Sequence, residues 1–241
     1  MNKATGKLRK LTGKVGRNCM KGGMPLLFFK MVAIFVSEET SLMSATPLSD
    51  LHQLILKHVL KRIHLSAQEQ EHFCTFLTVR KLLPRQYLLQ QGEICKYESY
   101  VCSGFLRSFY VDDNGDEHTL HFAMEDWWIS DSSSFIPQTP SRINIIAQEA
   151  TVVLQIDRQG IEQLFTDIPA FEKFWRILNQ QAMISQDQRI LNSISMTGAE
   201  RYEALIKKYP TLEQRLPQKH IASFLGITPV FLSQIRKGGK R

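Results

Sequence analysis

Between Leu82 and Ile156 the chain never sustains a helical repeat. Short runs of alternating apolar and polar residues are divided instead by Gly92, Gly104, Asp113-Asn114-Gly115 and the segment from Pro137 to Pro140. Strands of that length, set off by turn residues, bury their inward faces in a sandwich or a barrel-like roll. The sharpest register mark is Asn114-Gly115, placed between the run from Phe105 to Val111 and the run from His118 to Phe122. Asn-Gly tolerates the positive φ angles of a tight hairpin turn, so the two runs are expected to pair with each other.

Helical patterns flank this block. Leu51, Leu54, Ile55, Val59 and Ile63 recur at helical spacing, and Ser66 followed by Glu69 is a capping box for a second short helix ending near Phe76. Both are expected beneath the sheet. After the strands, residues 159–165 read as a short helix, and Pro169 opens a longer one from about Ala170 to Ser193. Along it Ile177, Ile184 and Leu191 recur every seventh residue, with Phe174, Met183 and Ile190 beside them. Such a seam suits pairing with its own copy in a parallel homodimer; the alternative is that it packs on its own sheet. Thr197 with Glu200 then caps a helix from Ala199 to Tyr209, stopped by Pro210.

The most specific local pattern runs from Gln218 to Lys237. Ile221 and Leu225 face inward on a first helix, with small Ala222 where a second helix must come close. Gly226 makes the left-handed turn, Thr228 caps the second helix, Pro229 is preset for its first position, and Leu232 and Ile235 return to the core. This is a helix-turn-helix signature. Its outward residues Val230, Ser233, Gln234 and Lys237 are spaced to face a major groove, Gln234 toward adenine and Val230 toward a thymine methyl. Thr228, Lys219, Arg236 and Lys240 are placed to hold phosphates. For each single residue the alternative is a solvated helix face.

Charge agrees with an anionic partner at this end. From Ala199 onward nine bases oppose Glu200, Glu203 and Glu213, a net +6. Residues 1–42 carry eight bases against Glu38 and Glu39, again +6, which leaves the middle acidic within a total of +7. A basic module on an acidic body fits a polyanion such as double-stranded DNA.

Other chemistries find little support. Cys19, Cys74, Cys95 and Cys102 are scattered, without a C-x-x-C pair or zinc-finger spacing, so they read as reduced thiols of a cytoplasmic protein, and no metal is expected. His118 and His121 fall on opposite faces of one strand. No G-x-S-x-G, H-E-x-x-H or Walker loop occurs, so no enzyme is expected. The apolar patch from Met24 to Val36 is interrupted by Lys30 and is too short to cross a bilayer. Residues 1–42 are therefore read as an unstructured extension, with translation starting at Met43 and no membrane partner.

The order of these parts, from Leu51 to Lys237, resembles the Crp/Fnr family of bacterial regulators. Tyr87-Leu-Leu-Gln-Gln-Gly-Glu93 looks like the entry into its cyclic-nucleotide-binding roll, and Val101-Cys-Ser-Gly-Phe-Leu-Arg107 like the next strand pair, followed by the Asn114-Gly115 hairpin. The resemblance implies an α+β fold: a cyclic-nucleotide-binding-like double-stranded β-helix (a jelly roll) over 43–165, a dimerisation helix over 166–195 and a helical helix-turn-helix domain over 196–241. It implies a homodimeric transcription regulator that binds double-stranded DNA and answers to a small-molecule effector of unknown identity. The alternative is a cyclic-nucleotide-binding signalling module acting through protein contacts, which leaves the basic motif unused.

In cyclic-AMP-binding members a Gly-Glu pair and an Arg-Ser pair flank a short helix and hold the ribose and cyclic phosphate. Here Ile129 and Ser130 fall at the first two positions and Ser141 at the arginine position, with Arg142 one residue away. A one-residue slip on a strand turns a side chain to the other face. Cyclic AMP is therefore not expected as a cofactor, and a remodelled pocket of Trp127, Ser130, Asp131, Ser141 and Arg142 is the alternative. Clustered iron–sulfur cysteines are absent, and no haem ligand is identified. Many relatives continue into winged-helix strands beyond the point where this sequence ends.

Overall fold

The computed structural model describes residues 48–238. The N-terminal extension, the expected start at Met43 and the phosphate candidate Lys240 lie outside the described residues.

Two helices come first, α1 (Leu48–Leu60) and α2 (Ala67–Thr75). The capping box forms: the Ser66 hydroxyl accepts from the Glu69 N–H at 3.2 Å, and the Glu69 carboxylate accepts from the Ser66 N–H at 2.7 Å. Leu51, Ile55 and Val59 of α1 and Phe73 of α2 are buried, whereas Leu54 is exposed.

Eight strands follow: β1 (Thr78–Leu82), β2 (Tyr87–Leu89), β3 (Tyr97–Ser103), β4 (Leu106–Val111), β5 (Glu117–Ala123), β6 (Trp128–Ile129), β7 (Asn144–Ala147) and β8 (Thr151–Asp157), with the short helix α3 (Ser132–Phe135) between β6 and β7. They form two antiparallel four-stranded sheets in the orders β1-β8-β3-β6 and β2-β7-β4-β5. This is the roll the alternating pattern implied. Gly104, at φ 94°, is required where the chain passes β8: a Cβ there would lie 2.4 Å from Thr151 Oγ1.

The β4–β5 hairpin forms, but its turn is longer than Asn-Gly alone. Residues 112–116 connect the strands, and Gly115, at φ 86°, takes the left-handed conformation while Asn114 does not. The Asp112 carboxylate organises the loop by accepting the N–H groups of Asn114 (2.9 Å) and Asp116 (3.0 Å), an Asx-type turn that removes the need for a second positive φ. A register shift at Ser108 and Phe109 further separates this ladder from simple alternation.

The remaining chain is helical: α4 (Arg158–Asp167), α5 (Ala170–Ser195), α6 (Gly198–Lys208), α7 (Leu212–Arg215), α8 (Gln218–Leu225) and α9 (Pro229–Gly238). One core joins α1, α2, the roll, α4 and the first turns of α5. Phe174 belongs to it, with its ring 5.9 Å from those of His58 and Trp175, so it does not flank the expected seam. Past Leu178 the helix leaves the core, and Met183, Ile184, Ile190, Leu191 and Ile194 are 55–79% exposed. A second core gathers Leu205, Leu212, Leu216, Ile221, Ala222, Leu225 and Leu232 around Phe105 and Phe122 of the roll.

Candidate nucleic-acid interface and sensor cavity

α8 and α9 meet through Gly226, at φ 65° and ψ 36°, whose N–H closes the end of α8. Ile221, Ala222, Leu225 and Leu232 are buried between the helices, and Ile235 is half-buried. The Thr228 hydroxyl accepts the N–H of Phe231 at 3.1 Å and so caps α9. With its inner face held this way, α9 presents Val230, Gln234 and Lys237 to solvent, with Ser233 half-buried beside them. Thr228 and Lys219 are exposed at the starts of the two helices. Arg236 is half-buried and pairs with Glu213 at 2.8 Å, so its guanidinium is partly engaged within the chain.

The first of these helices lies against β5. The Ser223 hydroxyl accepts the Thr119 N–H at 2.9 Å and donates to the Glu117 carbonyl at 2.8 Å. From α5 the Arg189 guanidinium donates to the carbonyls of Thr119 (3.3 Å), Phe224 (3.2 Å) and Leu120, and stacks 4.3 Å from the Phe224 ring. Buried Arg107 donates to Glu117 at 2.5 Å, and His220 Nδ1 lies 3.9 Å from the same carboxylate. Burial, reinforced by nearby Arg107 and Lys219, pushes the His220 imidazole down to about 4. Arg215 donates to Glu125 (2.8 and 3.0 Å) and to Glu149 (2.5 Å), and these bonds hold its proton more tightly than usual. Ser223, Arg189 and Arg215 do not stand out in the sequence, because each reaches a partner 66–106 positions away.

A half-open pocket of about 460 Å³ lies in the roll. Leu88, Leu89, Ile94, Ile129 and Ile145 give it apolar walls, and Arg80, Glu93, Lys96, Ser99, Ser130 and Gln155 add polar groups. Gln155 faces Ser99 across the β3–β8 ladder and donates to its hydroxyl at 3.0 Å. Half-buried Glu98, hydrogen-bonded to Ser130, has its carboxyl pushed up to about 7 by burial. Two polar side chains in register at inward strand positions are the sequence signal for this cavity.

Of the five residues expected to form an effector pocket, Ser130 lines this cavity and the others serve different ends. Asp131 caps α3, accepting the N–H (3.1 Å) and hydroxyl (2.6 Å) of Ser133. Its second oxygen accepts the Ser141 hydroxyl at 2.7 Å, and both residues are buried. Arg142 is exposed, 5.9 Å from the Tyr110 ring, as the one-residue offset implied. Trp127 meets Tyr209 edge-on at 5.8 Å, while Trp128 packs in the core against Tyr100 and Trp175. Cys95 and Cys102 are buried and Cys74 half-buried, all as free thiols. Among the described residues no three His, Cys, Asp or Glu side chains group closely enough to hold a metal, and no helix is long and apolar enough to cross a membrane.

Comparison with known proteins places this geometry. The cyclic nucleotide-binding domain family matches residues 79–167. Among solved structures, the c-di-GMP-responsive global regulator CLP of Xanthomonas campestris superposes with a TM-score of 0.59 at 14% identity, over 73% of this chain and 92% of that one. A crp/fnr-family transcriptional regulator from Eubacterium rectale gives 0.58 at 15% identity, covering 73% and 84%. A CooA mutant from Carboxydothermus hydrogenoformans gives 0.57 at 17%, covering 76% and 83%. No curated protein matches by sequence.

Proposed function

We propose, from the premise that this chain carries a cyclic nucleotide-binding domain within a Crp/Fnr fold, that it is a homodimeric transcription regulator whose α8–α9 pair reads DNA. The observation that carries this is the recognition face: Val230, Gln234 and Lys237 stand exposed on a helix whose opposite side is locked by Leu232 and the Gly226 turn. A rigid helix with an amide, a methyl group and a cation on one side is what major-groove reading requires. Thr228, Ser233, Lys219 and Arg236 complete the contact set, with Arg236 exchanging Glu213 for a phosphate.

The exposed stripe on α5 supports self-pairing through Ile184 and Leu191, with Ile177 at its inner end, because an apolar face of that length needs cover. The roll serves as the sensor, with the cavity beside Ser130 as the effector site, and the cassette is not built for a cyclic phosphate. The domains follow as a sensor over 43–165, a dimerisation helix over 166–195 and a DNA-binding domain over 196–241.

The test is selection from a random duplex pool with and without cyclic AMP. Enrichment of an approximate palindrome, with half-sites roughly 34 Å apart and no dependence on the nucleotide, is the expected result. Gln234→Ala should then relax sequence preference, and Lys219→Ala should weaken every sequence alike and flatten the salt slope. A folded dimer that enriches no sequence in either condition counts against the reading.

A further inference from the structure

Gln155 and Ser99 stand opposite each other on β8 and β3, 5% and 1% exposed, and both line the roll pocket. The Gln155 amide nitrogen donates to the Ser99 hydroxyl oxygen at 3.0 Å. Among the described residues that bond leaves the amide oxygen as a free acceptor and the Ser99 hydroxyl proton as a free donor. Leaving such groups unpaired in a buried place costs free energy, so the pair calls for one group from outside the chain that both donates and accepts. A hydroxyl does both, whereas a primary amide would bring a second N–H with no acceptor. Water alone would stay in contact with the aliphatic walls of Leu88, Leu89, Ile129 and Ile145, which favour an apolar body.

The charged residues of the pocket differ in what they already hold. Arg80 donates to the carbonyls of Tyr87 (3.0 Å) and Leu88 (3.2 Å), and the Glu93 carboxylate accepts the Gln90 N–H at 2.9 Å. Lys96 is exposed and has no ion pair or hydrogen bond among the described residues. With Tyr97 it also lines the depression over the start of α4, so the two residues form the mouth. In that depression Asp157 caps α4 and Glu162 pairs with Arg158 at 2.9 Å. Lys96 is thus the cation left for a ligand, and a single ammonium matches a single negative charge. It precedes Ser99 by three residues, at most roughly 10 Å along an extended chain.

We propose that the roll pocket binds a small hydroxy carboxylic acid whose two polar groups lie at opposite ends of an apolar body. The hydroxyl donates to Gln155 and accepts from Ser99, the body lies between the aliphatic walls, and the carboxylate meets Lys96 at the mouth. This names the ligand class of the effector site and rests on the sensor reading above. A volume of about 460 Å³ is that of a small-molecule site. Neither end of such a ligand uses Asp131 and Ser141, which are bonded to each other.

The test is calorimetric titration of the full chain with ω-hydroxyoctanoate and para-hydroxyphenylpropionate. The comparison ligands are the same bodies without the hydroxyl, and the same bodies with a primary amide replacing the carboxylate. At least one hydroxy acid is expected to bind, its deoxy partner about tenfold more weakly and its amide about fivefold more weakly. Lys96→Gln, at an exposed site, should abolish the preference for acid over amide and keep the preference for the hydroxyl. Ser99→Ala should do the reverse. Failure of both hydroxy acids to bind at millimolar concentration, or preferences that survive both substitutions, would overturn the ligand class. Duplex affinity measured with and without ligand separates this from the reading beneath it. An acid that binds with both preferences and leaves duplex affinity unchanged keeps the site and sinks the sensor reading. Duplex affinity that answers to a different ligand, while the acids do not bind, keeps the sensor and overturns the class.

Discussion

Ser141 and Asp131 satisfy each other inside the roll: the hydroxyl donates to the carboxylate at 2.7 Å, with both residues buried. The same carboxylate caps α3, so both of its oxygens are engaged within the chain. A cyclic phosphate brought there would meet a buried carboxyl whose hydrogen bonds are already made. Cyclic AMP at millimolar concentration is therefore expected to leave the melting temperature unchanged, since a bound ligand raises stability by mass action. Asp131→Ala should cost about 2 kcal/mol from the lost cap and hydrogen bonds, read from urea unfolding. A clear cyclic AMP shift in the native protein would contradict this account of the cassette.

Arg215 joins the C-terminal helices to the roll through Glu125 and Glu149 while lying 5.0 Å from the Phe105 ring. Its side chain is only 19% exposed, whereas the two carboxylates are 46% and 39% exposed. Removing it strands two acids next to each other. Arg215→Ala is expected to destabilise by about 1–3 kcal/mol, and Arg215→Lys to recover part of that, because an ammonium cannot serve both carboxylates in the same planar way. Thermal unfolding of the three proteins ranks them; equal midpoints would show that the pairs are too solvated to matter.

The stripe on α5 predicts its own disruption. Ile184 is 67% exposed and Leu191 is 55% exposed in the single chain, so a charge at either site costs little unless a second copy covers it. Ile184→Lys and Leu191→Lys should each turn a dimer into a folded monomer by sedimentation analysis. Duplex affinity should fall with the loss of the second half-site. A native chain that sediments as a monomer would return the stripe to a solvent-facing role.

Features governed by near neighbours along the chain are legible in the sequence itself. Both capping boxes, Ser66 with Glu69 and Thr197 with Glu200, and the left-handed Gly226 follow from a few adjacent residues. The roll is legible as a class, because alternating runs between turn residues have few ways to bury one face. What is not legible depends on the third dimension. Phe174 reads as part of the α5 seam because periodicity does not say where a helix leaves its core. Asp131 and Arg142 read as pocket residues, yet Ser141 lies within reach of the first and the strand period turns the second outward. Arg189 and Ser223 carry no signal, since an arginine or a serine on a helix gains meaning only from the open strand edge it reaches.

Glu98 and His220 give the protein two opposing pH responses in one window. Burial pushes the Glu98 carboxyl from 4.5 up to about 7, so between those values the folded chain keeps a proton that the unfolded chain has lost. Its contribution to stability is present below pH 4.5 and is lost as pH rises through about 7. Burial pushes His220 from 6.5 down to about 4, so the unfolded chain holds the extra proton there. This penalty is absent above pH 6.5 and grows as pH falls toward about 4. Each group sets a slope of at most about 1.4 kcal/mol per pH unit, with opposite signs. Urea midpoints taken from pH 4.5 to 7 should therefore climb more steeply in Glu98→Gln than in the native chain, because only the falling limb is removed. In His220→Asn the profile should flatten or turn downward with rising pH. Three parallel profiles would mean that neither group changes its proton affinity on folding.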